Sequence, residues 1–152
     1  MTRKEAKLKL AKYCAYQERS QKEVRSKLYE TGLYQDEIEE IIAELISENF
    51  LNEERFAKAF IGGKFRTKKW GRKKILMAIK PYDISDYCIQ KGLQEIDPDD
   101  YHNTLKQVII TKNNSLSEEN IFMKRNKLAK YAMSRGFEAD LVWDFLKQNI
   151  DK

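Results

Sequence analysis

The stretch SQKEVRSKLYETGLYQDEIEEIIAELI, Ser20 to Ile46, carries two helices and the corner between them. Its first four residues form a capping box, in which Ser20 accepts from the Glu23 amide and Glu23 reaches back. Val24 and Leu28 are the inward stripe of the helix that follows. That helix ends at Thr31-Gly32, where glycine supplies the left-handed backbone of a helix stop. Leu33 then staples the corner. From Asp36, residues Ile38, Ile41, Ile42 and Leu45 recur at helical spacing, and Asp36, Glu37, Glu39 and Glu40 suit the positive end of that helix's dipole. Its stop is expected near Asn49. Upstream, Ala6, Leu10, Tyr13 and Cys14 mark a helix of the same unit.

The pattern recurs. Gly32-Leu33 aligns with Asp83-Ile84, 51 residues on, and with Gly136-Phe137, a further 53 on. In those registers Val24 and Leu28 fall on Ile75 and Ile79, then on Leu128 and Ala132. Ile38 falls on Ile89 and Val142, and Ile42 on Leu93 and Leu146. Self-similarity at about 50 residues is the mark of stacked helical modules, each burying its apolar face against a neighbour. The expectation is an all-α chain of three tandem three-helix repeats, at 1–50, 51–97 and 98–152, stacked into an elongated, curved array. Repeat three is the least regular: its first helix is expected around Tyr101 to Ile110, and KNNSLSEEN after it reads as a loop into the next N-cap. At the first junction, FLNEERFAKAF offers Asn52 as an N-cap, Glu53 and Glu54 in the first turn, and Phe56, Phe60 and Ile61 facing inward.

Composition agrees with a helical domain of this size. Of 152 residues 41% are hydrophobic and 35% charged, with two prolines and six glycines. No apolar run approaches the roughly 18 to 20 residues that span a bilayer, and the basic N-terminus lacks a secretory signal's apolar region, so a cytoplasmic placement is expected. Cys14 and Cys88 stand apart without clustered His, which argues against a zinc site or disulfide framework and for apolar roles inside the fold.

Charge is segregated along the chain. Arg55 to Tyr82 holds ten basic residues and no acid, whereas Gln17 to Glu54 holds eleven acids against four bases. A long basic surface of this kind attracts polyanions. Its centre is GGKFRTKKWGRKKI, Gly62 to Ile75. A nucleotide-binding P-loop would need GxxxxGK[ST], but Gly63-Lys64 is followed by Phe65 and Lys58 occupies the first glycine position. Arg55, Lys58 and Arg66 also fit the outer face of an amphipathic helix. Arg72, Lys73 and Lys74 fit less easily, because cations at a helix start oppose its dipole; a phosphate or carboxylate there would resolve the conflict. Trp70 can stack on a base or close the module core, the second being the ordinary role of a tryptophan. Lys124, Arg125, Lys127 and Lys130 form a second acid-free run on the equivalent helix of repeat three. The candidate polyanion-contact residues are therefore Arg55, Lys64, Arg66, Lys68, Lys69, Arg72, Lys73, Lys74, Lys124, Arg125 and Lys127, with Trp70 for stacking.

Catalysis finds little support. His102, the one histidine, has no nucleophile motif beside it, and Asp97 to Asp100, DPDD, reads as helix initiation around Pro98 rather than as a metal site. No cofactor or metal is expected.

Three motifs in order, SxxEVxxKLxxxG over Ser20 to Gly32, LNEERFA over Leu51 to Ala57 and WGRKKI over Trp70 to Ile75, resemble the bacterial RecX family of recombinase regulators. The similarity runs from about Leu8 to Ile96 and continues weakly in the third repeat. The resemblance implies an all-α chain of three three-helix repeats that binds the RecA filament on DNA and restrains its ATP hydrolysis, strand exchange and co-protease activity. It also implies weaker affinity for single- and double-stranded DNA and regulation of DNA repair and the SOS response; the expectation is a monomeric, non-enzymatic protein. Asp83, where the family usually has glycine, implies a different turn, and Lys69 stands where the family often has a second glycine. The alternative is a stand-alone DNA-binding protein of the helix-turn-helix repressor kind. Against it, the helix that would read DNA carries Glu37, Glu39, Glu40 and Glu44, which phosphates repel.

Overall fold

The computed structural model describes residues 1–150. The described residues form nine α-helices: α1 Arg3–Tyr16, α2 Gln21–Tyr29, α3 Gln35–Ser47, α4 Glu53–Gly63, α5 Arg72–Ile79, α6 Asp86–Leu93, α7 Pro98–Ser115, α8 Ile121–Ser134 and α9 Ala139–Asn149. A π-helical turn, Lys64–Lys68, extends α4, and a 3-10 turn, Lys80–Tyr82, extends α5. Left-handed corners separate α2 from α3, α5 from α6 and α8 from α9: φ is 80° at Gly32, 54° at Asp83 and 99° at Gly136. The expected difference at Asp83 therefore lies before the corner, in the 3-10 turn that Pro81 enters, while Asp83 itself takes the left-handed backbone that aspartate tolerates better than most residues.

Two compact units result, one of Met1–Phe60 with Ile79–Gly92 and the other of Ile61–Ala78 with the chain from Leu93. The division passes through α4 and α5. In unit 1, α1, α2 and α3 pack together over Ala6, Leu10, Val24, Leu28, Ile38, Ile41, Ile42 and Leu45. The anticipated capping box is present: the Glu23 amide donates to Ser20 Oγ at 3.1 Å, and the Ser20 amide donates to Glu23 Oε1 at 3.0 Å. Ser20 is wholly buried, so the box satisfies groups that water cannot reach. Cys14 is buried, which pushes its thiol up to about 11, and Cys88 is half-buried; both are free. Phe56, Phe60 and Tyr82 form a second cluster in this unit, with ring centroids 5.3 to 5.8 Å apart.

In unit 2, α8 packs against α7 and α9 over Tyr101, Leu105, Ile109, Leu128, Ala132, Phe137, Val142 and Leu146. Here α7 outruns its expected length: Lys112 to Ser115 belong to the helix, closed by the Ser115 hydroxyl donating to the Lys112 carbonyl at 2.8 Å. The rest of the polar stretch leads to Asn120, which caps α8 by accepting from the Phe122 and Met123 amides.

The repeat register is visible in burial. Val24, Leu28, Ile75, Ile79, Leu128 and Ala132 are all buried, as are Ile38, Ile42, Val142 and Leu146. Ile89 and Leu93 on the eight-residue α6 are only half-buried. Replacing Ser20 with alanine removes the acceptor of the Glu23 amide and leaves the residue-20 amide on the Glu23 carboxylate; the expected outcome is a loss of about 1 to 2 kcal/mol, measured by urea unfolding, with α2 amides exchanging fastest.

Candidate polyanion interface

The basic segment begins where α4 stops being an α-helix. After Gly63 the chain widens into the π turn, and Lys69 at its end takes φ 56° and ψ 40°, a left-handed conformation that glycine adopts more cheaply. Phe65 is drawn inward, 5.8 Å from the Tyr101 ring, while Arg66, Lys68 and Lys69 face solvent. Such π turns recur at functional positions in helices. Its last carbonyl is satisfied from another element: Arg135 Nη2 donates to the Lys68 carbonyl at 2.6 Å.

Next comes the start of α5. The Gly71 amide donates to the Arg135 carbonyl at 2.8 Å and the Lys73 amide to the Gly136 carbonyl at 3.0 Å. Between them, the Arg72 amide donates to the Tyr101 hydroxyl at 3.0 Å. Helix starts normally leave such amides for a cap, water or ligand. These three are taken, so none of them is open to a phosphate. Backbone meets backbone here: a Cβ on Gly71 would lie 2.3 Å from the Gly136 carbonyl carbon, and one on Gly136 only 2.5 Å from Lys74 Cβ.

Arg72 does meet an anion, but one within the chain. Its Nη1 donates to Glu138 Oε2 at 2.7 Å, its guanidinium lies 3.9 Å from the Tyr101 ring centroid, and the Tyr101 hydroxyl donates to Glu138 Oε1 in a short hydrogen bond. Burial alone would raise the Glu138 carboxyl, but the hydrogen bonds from Tyr101 and Arg72 outweigh it and hold the group below its usual range. Burial, aided by that carboxylate, pushes the Tyr101 hydroxyl well up. Glu138 occupies the N-cap of α9 without capping it, because its carboxylate is committed to Arg72 and Tyr101. A glutamate where Ser, Thr, Asp or Asn usually stands was the available sequence signal for this partner.

The other candidates divide into clamped and open. Arg55 lies in unit 1, donating from Nε to Glu18 at 2.6 Å and from Nη1 and Nη2 to Asn49 at 3.0 Å, where Asn49 closes α3 at φ 67°. Arg125 Nε donates to the Ile150 carbonyl at 3.0 Å, and Lys127 pairs with Glu118 at 3.0 Å. Lys64 and Lys74 hold their ammonium groups 5.5 and 4.7 Å from the Trp70 ring centroid. Trp70 is half-buried, with both ammonium groups over its ring. Arg66, Lys68, Lys69, Lys73 and Lys124 form no ion pair among the described residues. The α8 run sits in the same unit, but Lys124 is eleven residues from Arg135, roughly 16 Å along the helix from the α5 contact. The acidic face of α3 is partly paired within unit 1: Glu44 and Glu48 with Arg3 and Lys7, Glu39 with Arg25.

Gly71→Ala is expected to destabilise unit 2 by about 3 kcal/mol in urea unfolding, because two backbones must separate. Glu138 is depressed in the fold, so its contribution is complete above the ordinary glutamate value of about 4.3 and is lost as pH falls through the lower folded value. Glu138→Gln should cost about 1 to 2 kcal/mol at neutral pH and flatten the loss of stability below about pH 5, read from urea midpoints across pH.

The chain matches the family models described as "RecX, first three-helix domain" over residues 6–45 and "RecX, second three-helix domain" over residues 52–93, together more than half its length. It is 31% identical over 124 residues to "Regulatory protein RecX" of Clostridium perfringens, covering 80% of this chain and 58% of that protein. With the protein of the same name from Clostridium botulinum it shares 28% over 135 residues, covering 88% and 63%. The chain thus spans about three-fifths of the length of these two relatives. Its fold is shared with the crystal structure of RecX from Lactobacillus salivarius, at TM-score 0.88 and 24% identity over 98% of this chain and 96% of that one. With the capped helices, left-handed corners and basic segment described above, these matches place the chain in the RecX family.

Proposed function

We propose that this protein regulates homologous recombination and DNA repair by binding the RecA–DNA filament and inhibiting RecA's ATP hydrolysis, strand exchange and co-protease activity. One observation carries the reading: the segment from Lys64 to Lys74 presents Arg66, Lys68, Lys69 and Lys73 to solvent with no ion pair among the described residues, the first three on a π turn and its cap anchored by Arg135 and the last in the first turn of α5. Uncompensated cations on a fixed scaffold suit phosphate or an acidic protein surface. The regulatory names borne by its relatives agree in kind. Repeats bounded at 1–50, 51–97 and 98–152 would act as one monomeric, non-catalytic ligand of the filament in the cytoplasm, with weaker electrostatic affinity for free DNA.

Inhibition then works by occupancy: cations engage the filament and the helical body obstructs subunit rearrangement or growth. Arg55 and Arg72 serve this indirectly, Arg55 by holding the α3 stop and Arg72 by seating α5. A stand-alone DNA-binding role draws on the same cations.

Substoichiometric protein should depress the DNA-dependent ATPase of the cognate recombinase, and the triple variant Arg66→Glu, Lys68→Glu, Lys73→Glu should abolish that effect with thermal unfolding little changed. An unchanged ATPase with wild-type protein contradicts the reading. For free DNA, log K should fall with log salt by about 0.7 to 0.9 per phosphate contacted, and the triple variant should flatten that slope. Strong DNA binding without any ATPase effect would favour the stand-alone role.

A further inference from the structure

Unit 2 contains a cavity of about 330 Å³, lined by Lys69, Gln107, Val108, Thr111, Tyr131 and Arg135. Gln107 and Thr111 lie one turn apart on α7, and Arg135, the C-cap of α8, lies one turn beyond Tyr131, so each pair shares a helix face. Lys69 enters from the end of the π turn. The volume falls in the lower range of small-molecule sites.

Its chemistry is one-sided. No carboxylate lines it. Arg135 is half-buried, cannot lose its charge, and forms no ion pair among the described residues; Nη2 is held by the Lys68 carbonyl while Nε is buried without a hydrogen-bond partner. Lys69 likewise has no ion pair among the described residues, and it holds a left-handed backbone at φ 56° that glycine would hold without steric cost. Two uncompensated cations beside an acid-free cavity select an anion. Tyr131 adds a half-buried aromatic ring with Lys112 Nζ 4.9 Å from its centroid, and Gln107 and Thr111 add neutral donors and acceptors. An anion alone needs neither ring nor amide; a phosphate joined to a flat heterocycle uses all of them.

We infer that this cavity binds one nucleotide, its phosphate at Lys69 and Arg135, its base against Tyr131, and its base edge at Gln107 and Thr111. The inference deepens the nucleic-acid part of the proposed function and rests on it for the ligand's source, a single strand crossing the basic segment.

The test is nuclear magnetic resonance titration of the full chain with thymidine 5′-monophosphate, thymidine, inorganic phosphate and an aspartate-rich peptide at equal ionic strength. The nucleotide should give saturable shifts at Lys69, Thr111, Tyr131 and Arg135, about tenfold tighter than thymidine or phosphate. Tyr131→Leu, which keeps the apolar packing, should weaken the nucleotide about tenfold and leave phosphate unchanged. Lys69→Gly relieves the left-handed backbone and so preserves the fold, yet should weaken nucleotide and phosphate alike by about tenfold. Equal response to phosphate and nucleotide, indifference of both variants, or tighter saturation by the peptide would overturn the inference. An oligothymidylate titration separates the two levels. Salt-dependent binding that neither variant alters sinks the cavity and leaves the basic surface standing; nucleotide saturation without oligonucleotide binding keeps the cavity and sinks the surface reading.

Discussion

In unit 2, the arrangement of the basic segment depends on one contact, the seating of the α5 start against the corner between α8 and α9. Two glycines bring backbones within a distance no side chain permits, and Gly71 and Lys73 amides end on the Arg135 and Gly136 carbonyls. That contact anchors one end of the stretch from Phe65 to Ile75, and the buried Phe65 anchors the other. The consequence for chemistry is specific. With its first amides occupied, this helix start leaves the exposed Lys73 side chain open, whereas a phosphate loop would offer backbone.

A division of labour among the cations follows from their structure. Arg3, Arg25, Arg55 and Arg72 each bind a carboxylate, and Arg55 and Arg125 also bind carbonyls that end helices. Arginine suits this work because its planar fork satisfies several acceptors in fixed geometry. The open positions are mostly lysines: Lys68, Lys69 and Lys73 beside Arg66. A strongly hydrated ammonium on a flexible stem follows a mobile polyanion at small ordering cost, and the resulting attraction weakens with salt.

What local chemistry dictates was legible in the sequence. The Ser20 capping box, the left-handed corners at Gly32 and Gly136 and the buried stripes at Val24, Ile75 and Leu128 all depend on neighbours within a few turns. The extra turn of α7 was not legible, because Asn113 and Ser115 favour loops until a packed helix carries them. Nor was the fate of Arg72 or Trp70. The partner of Arg72 is 66 residues away, and only the fold brings a glutamate with no capping role to it. Trp70 has the size of a core residue, yet two lysine ammonium groups flank its ring. A charge run in sequence thus identified the segment correctly as basic without separating the cations that build it from those left open.

The central claim is that the open cations of the π turn and the α5 start meet the filament. The most direct measurement is amine-reactivity footprinting of the protein, free and bound to a recombinase–DNA filament, read lysine by lysine. The expected result is strong protection of Lys68, Lys69 and Lys73 on binding, with the exposed Lys4, Lys9 and Lys12 of α1 unchanged. Protection of the α1 lysines while Lys68, Lys69 and Lys73 stay fully reactive in the bound protein would contradict it.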